Sequence, residues 1–263
     1  MSVHPSIGVA NSVSANHNFD PLDALAYAKQ SNFDSIQIYL NDDLLSDEKE
    51  LKKIKKANFP KSFYHAEGLY NTEFAESDYK KKLYSFLAEI ETPNFISHFD
   101  ETSSIDSLIK LTEELSKGGV RIYLENYFSL DGKEDAEKNL KKYLALFTLS
   151  SNFGNPIYPV LDIPRLFNKK VGFTVQESME WTFQLVNFFG NRRMPILFHL
   201  IDATTDDQPR SSFCTLGEGY IPYDEIFNFL KKTRPAIESI ILEYEDKINP
   251  LNSREFIQKY YGG

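Results

Sequence analysis

A (β/α)₈ barrel is the fold class that this 263-residue sequence predicts, and three observations carry it. Short apolar runs alternate with longer stretches of helical periodicity, which divides the chain into eight strand-then-helix units. The last six runs each close on a histidine or an acid: His65, His98, Glu125, Asp162, His199 and Glu243. The C-terminal ends of parallel strands are where α/β folds gather their chemistry. The turn after the first run, NSVSANHNF, has no glycine, and that disfavours the rival doubly wound sheet with its glycine-rich first turn.

The elements follow in order. Ser6–Ala10 is the first strand. Asp20 is an N-cap with Pro21 at the first helical position, and Leu22, Leu25 and Ala26 form one apolar face. Asn32 stands where a left-handed C-cap is wanted. SIQIYL, from Ser35 to Leu40, is strand two, and Leu51 and Ile54 mark a short helix among lysines. SFYH, from Ser62 to His65, is strand three, followed by a helix on Leu83, Phe86, Leu87 and Ile90. FISH, from Phe95 to His98, is strand four; Ile105, Leu108 and Leu115 carry the next helix, which Gly118 and Gly119 stop.

RIYLE, from Arg121 to Glu125, is strand five, with a helix around Leu140, Leu144 and Phe147. Ile157–Asp162 is strand six. Pro159 inside it removes a ladder donor, which places the start of that strand as late as Val160. Val175, Met179, Phe183 and Val186 line a helix before strand seven, Ile196–His199. Ile226, Phe227 and Leu230 line the helix after it, SIILE from Ser239 to Glu243 is strand eight, and the last helix covers Phe256–Tyr260. No linker or low-complexity tract interrupts this series, so one barrel domain over residues 1–263 is expected.

Composition excludes several classes. A net charge of −9 argues against a nucleic-acid binder, which shows a basic face. No apolar run reaches the roughly 18 residues of a membrane span, and the N-terminal residues do not read as a signal peptide. The single cysteine, Cys214, cannot form an internal disulfide, so a reducing, cytoplasmic setting is expected. Cys214 itself reads as packing, and His4 and His17 as solvent-facing.

Side chains two apart on a strand share a face. Glu125 therefore goes with Tyr123, Asp162 with Val160, His199 with Leu197 and Glu243 with Ile241. If these faces point inward, three carboxylates and an imidazole converge at the barrel's C-terminal mouth. Unneutralised, the carboxylates repel one another, and buried carboxylates are normally paired or bound to metal. An oxygen-rich set of this kind suits Mn²⁺, Mg²⁺ or Co²⁺, with Zn²⁺ also admissible. The competing reading is that these residues cap strands and bind loop backbone. For His65 and His98 the two readings stand level.

The ordered fragments FDSIQIYL, FYHAEG, YLEN, VLDIPR, FHLID, LGEGYIP and ILEYE resemble the xylose-isomerase-like barrel superfamily, in its sugar isomerase and epimerase branch, over nearly the full length. The resemblance implies metal ligands at Glu125, Asp162, His199 and Glu243, with Glu125 and Glu243 also serving as the acid/base pair. It implies one divalent ion and a carbohydrate or keto-acid substrate. The ion polarises a carbonyl and its neighbouring hydroxyl, so that proton transfer passes through an enediolate. A dehydratase of a polyol ketone on the same site, or a catalytically silent barrel that binds carbohydrate or protein, are the alternatives.

The sequence departs from that pattern in two places. Arg165 stands three positions after Asp162, where many relatives carry histidine, and the Asp-x-His pair of the apurinic-site endonuclease branch is not evident between Arg210 and Leu216. No nucleic-acid substrate is therefore expected. His65, His98, Arg165 and Arg210 are candidate substrate-binding residues, the arginines for a phosphate or carboxylate. The same arginines can equally pair with surface acids such as Asp206 and Asp207. Gly217 and Gly219 either admit substrate to the backbone or serve a turn. The oligomeric state is open.

Overall fold

The computed structural model describes residues 5–57, 59–69, 77–100, 102, 104–150 and 157–261. His4 lies outside the described residues, and His17 is exposed. Eight parallel strands close into a barrel: β1 Ile7–Ala10, β2 Ser35–Leu40, β3 Ser62–Leu69, β4 Asn94–Phe99, β5 Arg121–Asn126, β6 Ile157–Asp162, β7 Ile196–Leu200 and β8 Ile237–Leu242. Each strand pairs with its neighbours in sequence, and β1 pairs with β8 to complete the ring. Among the described residues no helix is long and apolar enough to cross a membrane.

The alternation along the strands divides the core in two. Ala10, Phe63, Ile96, Tyr123, Val160, Leu197 and Ile241 pack together inside the barrel. The intervening residues, such as Ile36, Ile38, Leu124, Leu161 and Phe198, face outward and join the larger cluster under the helices. Each fully buried aliphatic or aromatic side chain of this kind contributes about 1.5–3 kcal/mol. The inner set holds the partners expected from the two-residue period, so Glu125, Asp162, His199 and Glu243 stand one step above the plug.

Helix α1, Pro21–Gln30, begins where expected: the Asp20 carboxylate accepts from the Leu22 N–H at 2.8 Å. Asn32, at φ 54°, takes the left-handed turn after it. A short helix that the periodicity did not announce, α2 Asp42–Ser46, precedes α3 Glu48–Ala57. Its signal was the Asn41 cap, whose Oδ1 accepts from the Leu44 N–H at 2.8 Å. The barrel is then wrapped by α4 Asp78–Leu87, α5 Ile105–Lys117, α6 Lys133–Ser150, the single-turn α7 Ile163–Phe167, α8 Val175–Asn191, α9 Tyr223–Thr233 and α10 Asn249–Tyr261.

Strand six corrects one expectation. It does not start at Val160 but runs unbroken from Ile157, with Pro159 paired in register opposite Leu124. In a parallel ladder alternate residues turn their N–H groups to opposite neighbours; the Asp162 N–H turns toward β5, so Pro159, three residues back, turns away from it and the β5–β6 ladder loses no donor. The buried hydroxyl of Tyr143 on α6 donates to the carbonyls of Leu124 at 2.6 Å and Val160 at 3.0 Å. Strand ends differ too. β3 continues past His65 to Leu69 through an irregularity in its pairing with β4, and Phe99 and Asn126 extend β4 and β5 by one residue. Glu243 lies one residue beyond β8, where its N–H donates to the Leu200 carbonyl at 3.1 Å.

Candidate metal centre

Glu125 is the centre of the site. It is 1% exposed, and three imidazoles meet its carboxylate: His65 Nε2 at 3.0 Å and His199 Nδ1 at 3.0 Å from Oε2, and His98 Nε2 at 3.4 Å from Oε1. The parallel register places β3, β4 and β5 side by side, so that His98 is directly opposite Glu125. His65, His98 and Glu125 offer ligand atoms that all lie within 4.8 Å of one another, a cluster able to hold a divalent ion.

The donors are oriented from behind. Both His65 ring nitrogens face acceptors, Nδ1 the Ala66 carbonyl at 2.8 Å and Nε2 the Glu125 carboxylate at 3.0 Å, so the single N–H of a neutral ring serves only one of them; with Nδ1–H on Ala66, Nε2 keeps its lone pair. That lone pair then faces the Glu125 carboxylate, an opposition of two acceptors that a cation or a proton resolves. His199 is 1% exposed, and neither of its ring nitrogens finds a hydrogen bond of acceptable geometry, although Nδ1 also lies 3.3 Å from Glu243 Oε1. A buried, unsatisfied imidazole beside carboxylates is what a metal-binding donor set looks like from the protein side.

Asp162 joins this group through Arg165. The Arg165 Nε–H donates to Glu125 Oε1 at 3.1 Å and also pairs with the Asp162 carboxylate, while Nη2 stands 3.5 Å from His98 Nε2. Its guanidinium carbon lies 4.5 Å over the ring of Tyr127. Asp162 caps α7 by accepting from the Arg165 N–H at 3.2 Å, which is why the arginine three residues on turns back over the strand end. Glu243 is steadied from β2, where the Gln37 amide donates to its Oε1 at 2.7 Å.

Electrostatics follow from this crowding. Burial would raise the Glu125 carboxyl, but His199, His98 and Arg165 outweigh it and hold the group well below the usual carboxylate range. For Asp162 burial dominates, and with Glu125 and Glu243 nearby the carboxyl is pushed up to about 7 despite Arg165. Burial opposes protonation of His199, yet Glu243 and Glu125 lift it to about 9. His98 is lowered, chiefly by burial.

The group opens onto a cavity of about 420 Å³ at the barrel mouth, lined among others by Tyr127, Asp162, Arg165, Lys170, Gln208 and Glu243. A second cavity, of about 440 Å³, lies at the opposite end near Lys61 and Arg121, away from these residues. Arg210 is not part of the cluster: its side chain is 72% exposed and its Nε pairs with Glu245 at 2.9 Å. Cys214 is half-buried, and burial pushes its thiol up to about 11, which leaves it without thiolate character at neutral pH. Gln37, Asn126 and Tyr127 are supporting residues that the reading of strand ends did not single out. Gln37 carried a signal, as a polar residue on the inward face of an apolar strand. Asn126 clips β5 to β6 by accepting from the Asp162 N–H at 2.8 Å and donating to the Asp162 carbonyl at 3.2 Å.

No family model matches the chain, and no curated protein matches it in sequence. Solved structures do match in fold. The IOLI protein, in a crystal structure with a binding zinc atom, is 14% identical with a TM-score of 0.66, covering 98% of each chain. The probable 3-DHS dehydratase AsbF from Bacillus anthracis is 14% identical with a TM-score of 0.61, covering 96% of this chain and 97% of that one. D-allulose 3-epimerase from Methylomonas sp. is 14% identical with a TM-score of 0.60, covering 98% of both. The fold that these structures share with the chain is the (β/α)₈ barrel.

Proposed function

We propose that this chain is a divalent-metal-dependent isomerase or epimerase of a sugar, sugar phosphate or related keto acid, working by proton transfer through an enediolate. One observation carries the reading: a fully buried carboxylate, Glu125, is met by three imidazoles, and its neighbours Arg165, Asp162 and Glu243 line a cavity of substrate size at the catalytic end of the barrel. Its fold neighbours include a D-allulose 3-epimerase and an L-ribulose 3-epimerase, which supports the substrate class.

Glu125 is common to both ligand sets, one completed by His65 and His98 and the other by Asp162, His199 and Glu243. The ion, here Mn²⁺, Co²⁺, Mg²⁺ or Zn²⁺, would polarise a carbonyl and its neighbouring hydroxyl. The residues divide the remaining work by their surroundings. Glu243, 27% exposed and held at one oxygen by Gln37, keeps a carboxylate oxygen toward the cavity and is the base placed to take the proton next to the carbonyl. Glu125 stays ionised while its cationic neighbours remain, and it serves as the opposing proton-transfer group once they are redistributed around bound substrate. Where the ion is held by Glu125 with Asp162, His199 and Glu243, His65 and His98, on adjacent strands, would bind substrate oxygens. The cytoplasmic setting and the absence of a nucleic-acid substrate belong to the same proposal, resting on the lone cysteine and the net charge of −9.

The test is metal analysis of the purified protein, followed by incubation of ketoses and keto acids with the Mn²⁺- or Co²⁺-loaded form. Retained metal and an isomer of equal mass are expected. A product lighter by one water would move the activity to the dehydratase alternative. No ion taken up under any loading condition would end the proposal.

A further inference from the structure

The Arg165 guanidinium touches members of both candidate ligand sets at once. It donates to Glu125 at 3.1 Å, pairs with Asp162 and stands 3.5 Å from His98 Nε2. Nothing else with a permanent positive charge is seen to contact these carboxylates among the described residues. Without a positive charge there, Glu125 and Asp162 would be buried side by side, a costly arrangement in a low-dielectric site. The same cation is therefore what the protein uses to fold around its own acids and what stands in the way of an incoming one. We infer that Arg165 is a resident counter-cation, occupying the position between Glu125 and Asp162 that a divalent ion must take, and that ion uptake displaces its guanidinium into the mouth cavity.

Three features make the displacement feasible. The Arg165 side chain is already 32% exposed and lines the mouth cavity, so it has a path out that Glu125 and His199, at 1%, lack. It rises from the single-turn α7, and its contacts to the acids run through its flexible side chain; the backbone cap from its N–H to Asp162 Oδ1 involves only one of the two carboxylate oxygens. The ring of Tyr127 lies 4.5 Å from the guanidinium carbon and borders the same cavity, a surface over which the charge can slide without losing its cation–π contact. Charge balance points the same way. Glu125, Asp162 and Glu243 together with a divalent ion leave one negative charge, and an arginine kept close by cancels it. Arg165 is in this sense a positioning residue that sets the affinity and the charge of the centre.

This inference rests on the proposed metal centre, and the experiment separates the two. Mn²⁺ binding is measured by titration calorimetry and by electron paramagnetic resonance on the wild-type chain, Arg165→Met and Arg165→Lys, with circular dichroism and thermal melting as controls for folding. Arg165→Met is expected to bind Mn²⁺ at least about tenfold more tightly than wild type, since it removes the competitor, and to melt lower without the ion but gain more on adding it. Arg165→Lys keeps the charge without the planar fork and should fall between them. If Arg165→Met fails to fold, wild type alone decides through the Arg165 Nε–H resonance, identified by its loss in Arg165→Lys. Diamagnetic Zn²⁺ should abolish its carboxylate-bonded shift at one equivalent. Wild-type protein that binds Mn²⁺ no more weakly than folded Arg165→Met, or an Arg165 resonance that Zn²⁺ leaves in place, overturns the inference and spares the metal centre. An absence of ion binding in every form overturns both.

Discussion

The carboxylate of Asp202 fills the space in which a side chain at Gly219 would stand. A Cβ on Gly219 would fall on Asp202 Oδ1 and on the Ala203 carbonyl. Asp202, wholly buried just after β7, accepts from the N–H groups of Gly217 and Gly219, both at 2.9 Å, and of Ala203 at 2.9 Å and Ile221 at 3.4 Å. Gly217, at φ +84°, adds a second restraint, because a Cβ there would sit 2.5 Å from the ring of Phe256. Both glycines thus serve the loop's own folding around one buried acid.

Gly219→Ala should therefore destabilise the protein by about 1–3 kcal/mol, as overpacking does. Asp202→Ala should cost about 2–3 kcal/mol, since it strands the N–H donors of buried Ala203 and Ile221 and frees those of Gly217 and Gly219 at the loop surface. Urea unfolding of the two variants checks both figures. A Gly219→Ala protein as stable as wild type would mean that the loop has room the packing denies.

Tyr143→Phe probes the tie between α6 and the β5–β6 pair. Its hydroxyl donates to the Leu124 and Val160 carbonyls around Pro159, so its removal should cost about 1–2 kcal/mol with no change in secondary structure. A Tyr143→Phe protein that unfolds in urea at the wild-type midpoint would contradict this account.

Glu125→Gln should weaken Mn²⁺ binding by at least about tenfold, because Glu125 belongs to both ligand sets, and calorimetry reads it directly. Glu243→Gln should weaken the ion less, yet lower kcat by about 10²–10⁴-fold through loss of its base. Gln37→Ala, which frees Glu243 Oε1 from its 2.7 Å donor, should lower kcat while leaving the melting temperature within a few degrees.

Turnover in D₂O should place deuterium at the carbon next to the carbonyl. Mass spectrometry of the product makes the check. A product formed at full rate without solvent deuterium would indicate a hydride shift and remove the proton-transfer roles of Glu125 and Glu243, leaving the metal centre untouched.

Cys214 should resist alkylation. With its thiol raised to about 11 by burial, little thiolate exists at pH 8, and the rate should climb as pH rises toward that value. Iodoacetamide labelling at pH 8 should run at least about tenfold slower than for a free thiol of ordinary pKa near 8.5. Rapid labelling at pH 8 would place the thiol in a different environment.

The barrel was legible because its determinants are local and periodic. Apolar runs of strand length, the Asp20–Pro21 start of α1 and the alternation that seats Tyr123, Val160, Leu197 and Ile241 beneath their polar neighbours all repeat along the chain. Parallel order in a closed barrel then brings successive strand ends to one mouth, so the gathering of His65, His98, Glu125, Asp162, His199 and Glu243 was implied once the fold was. What the sequence could not decide is which side chains meet. Pairing at the 3 Å scale depends on rotamers and on the direction each loop takes, and neither leaves a pattern in the residue order. Arg165 and Arg210 were alike as loop arginines. Only the tertiary structure separated them, because the Asp162 cap turns α7 back across the barrel mouth and carries one guanidinium onto Glu125, while the other is left at the surface with Glu245. The same holds for Gly219, whose reason lies in Asp202, a residue distant in the chain and adjacent only in the folded protein.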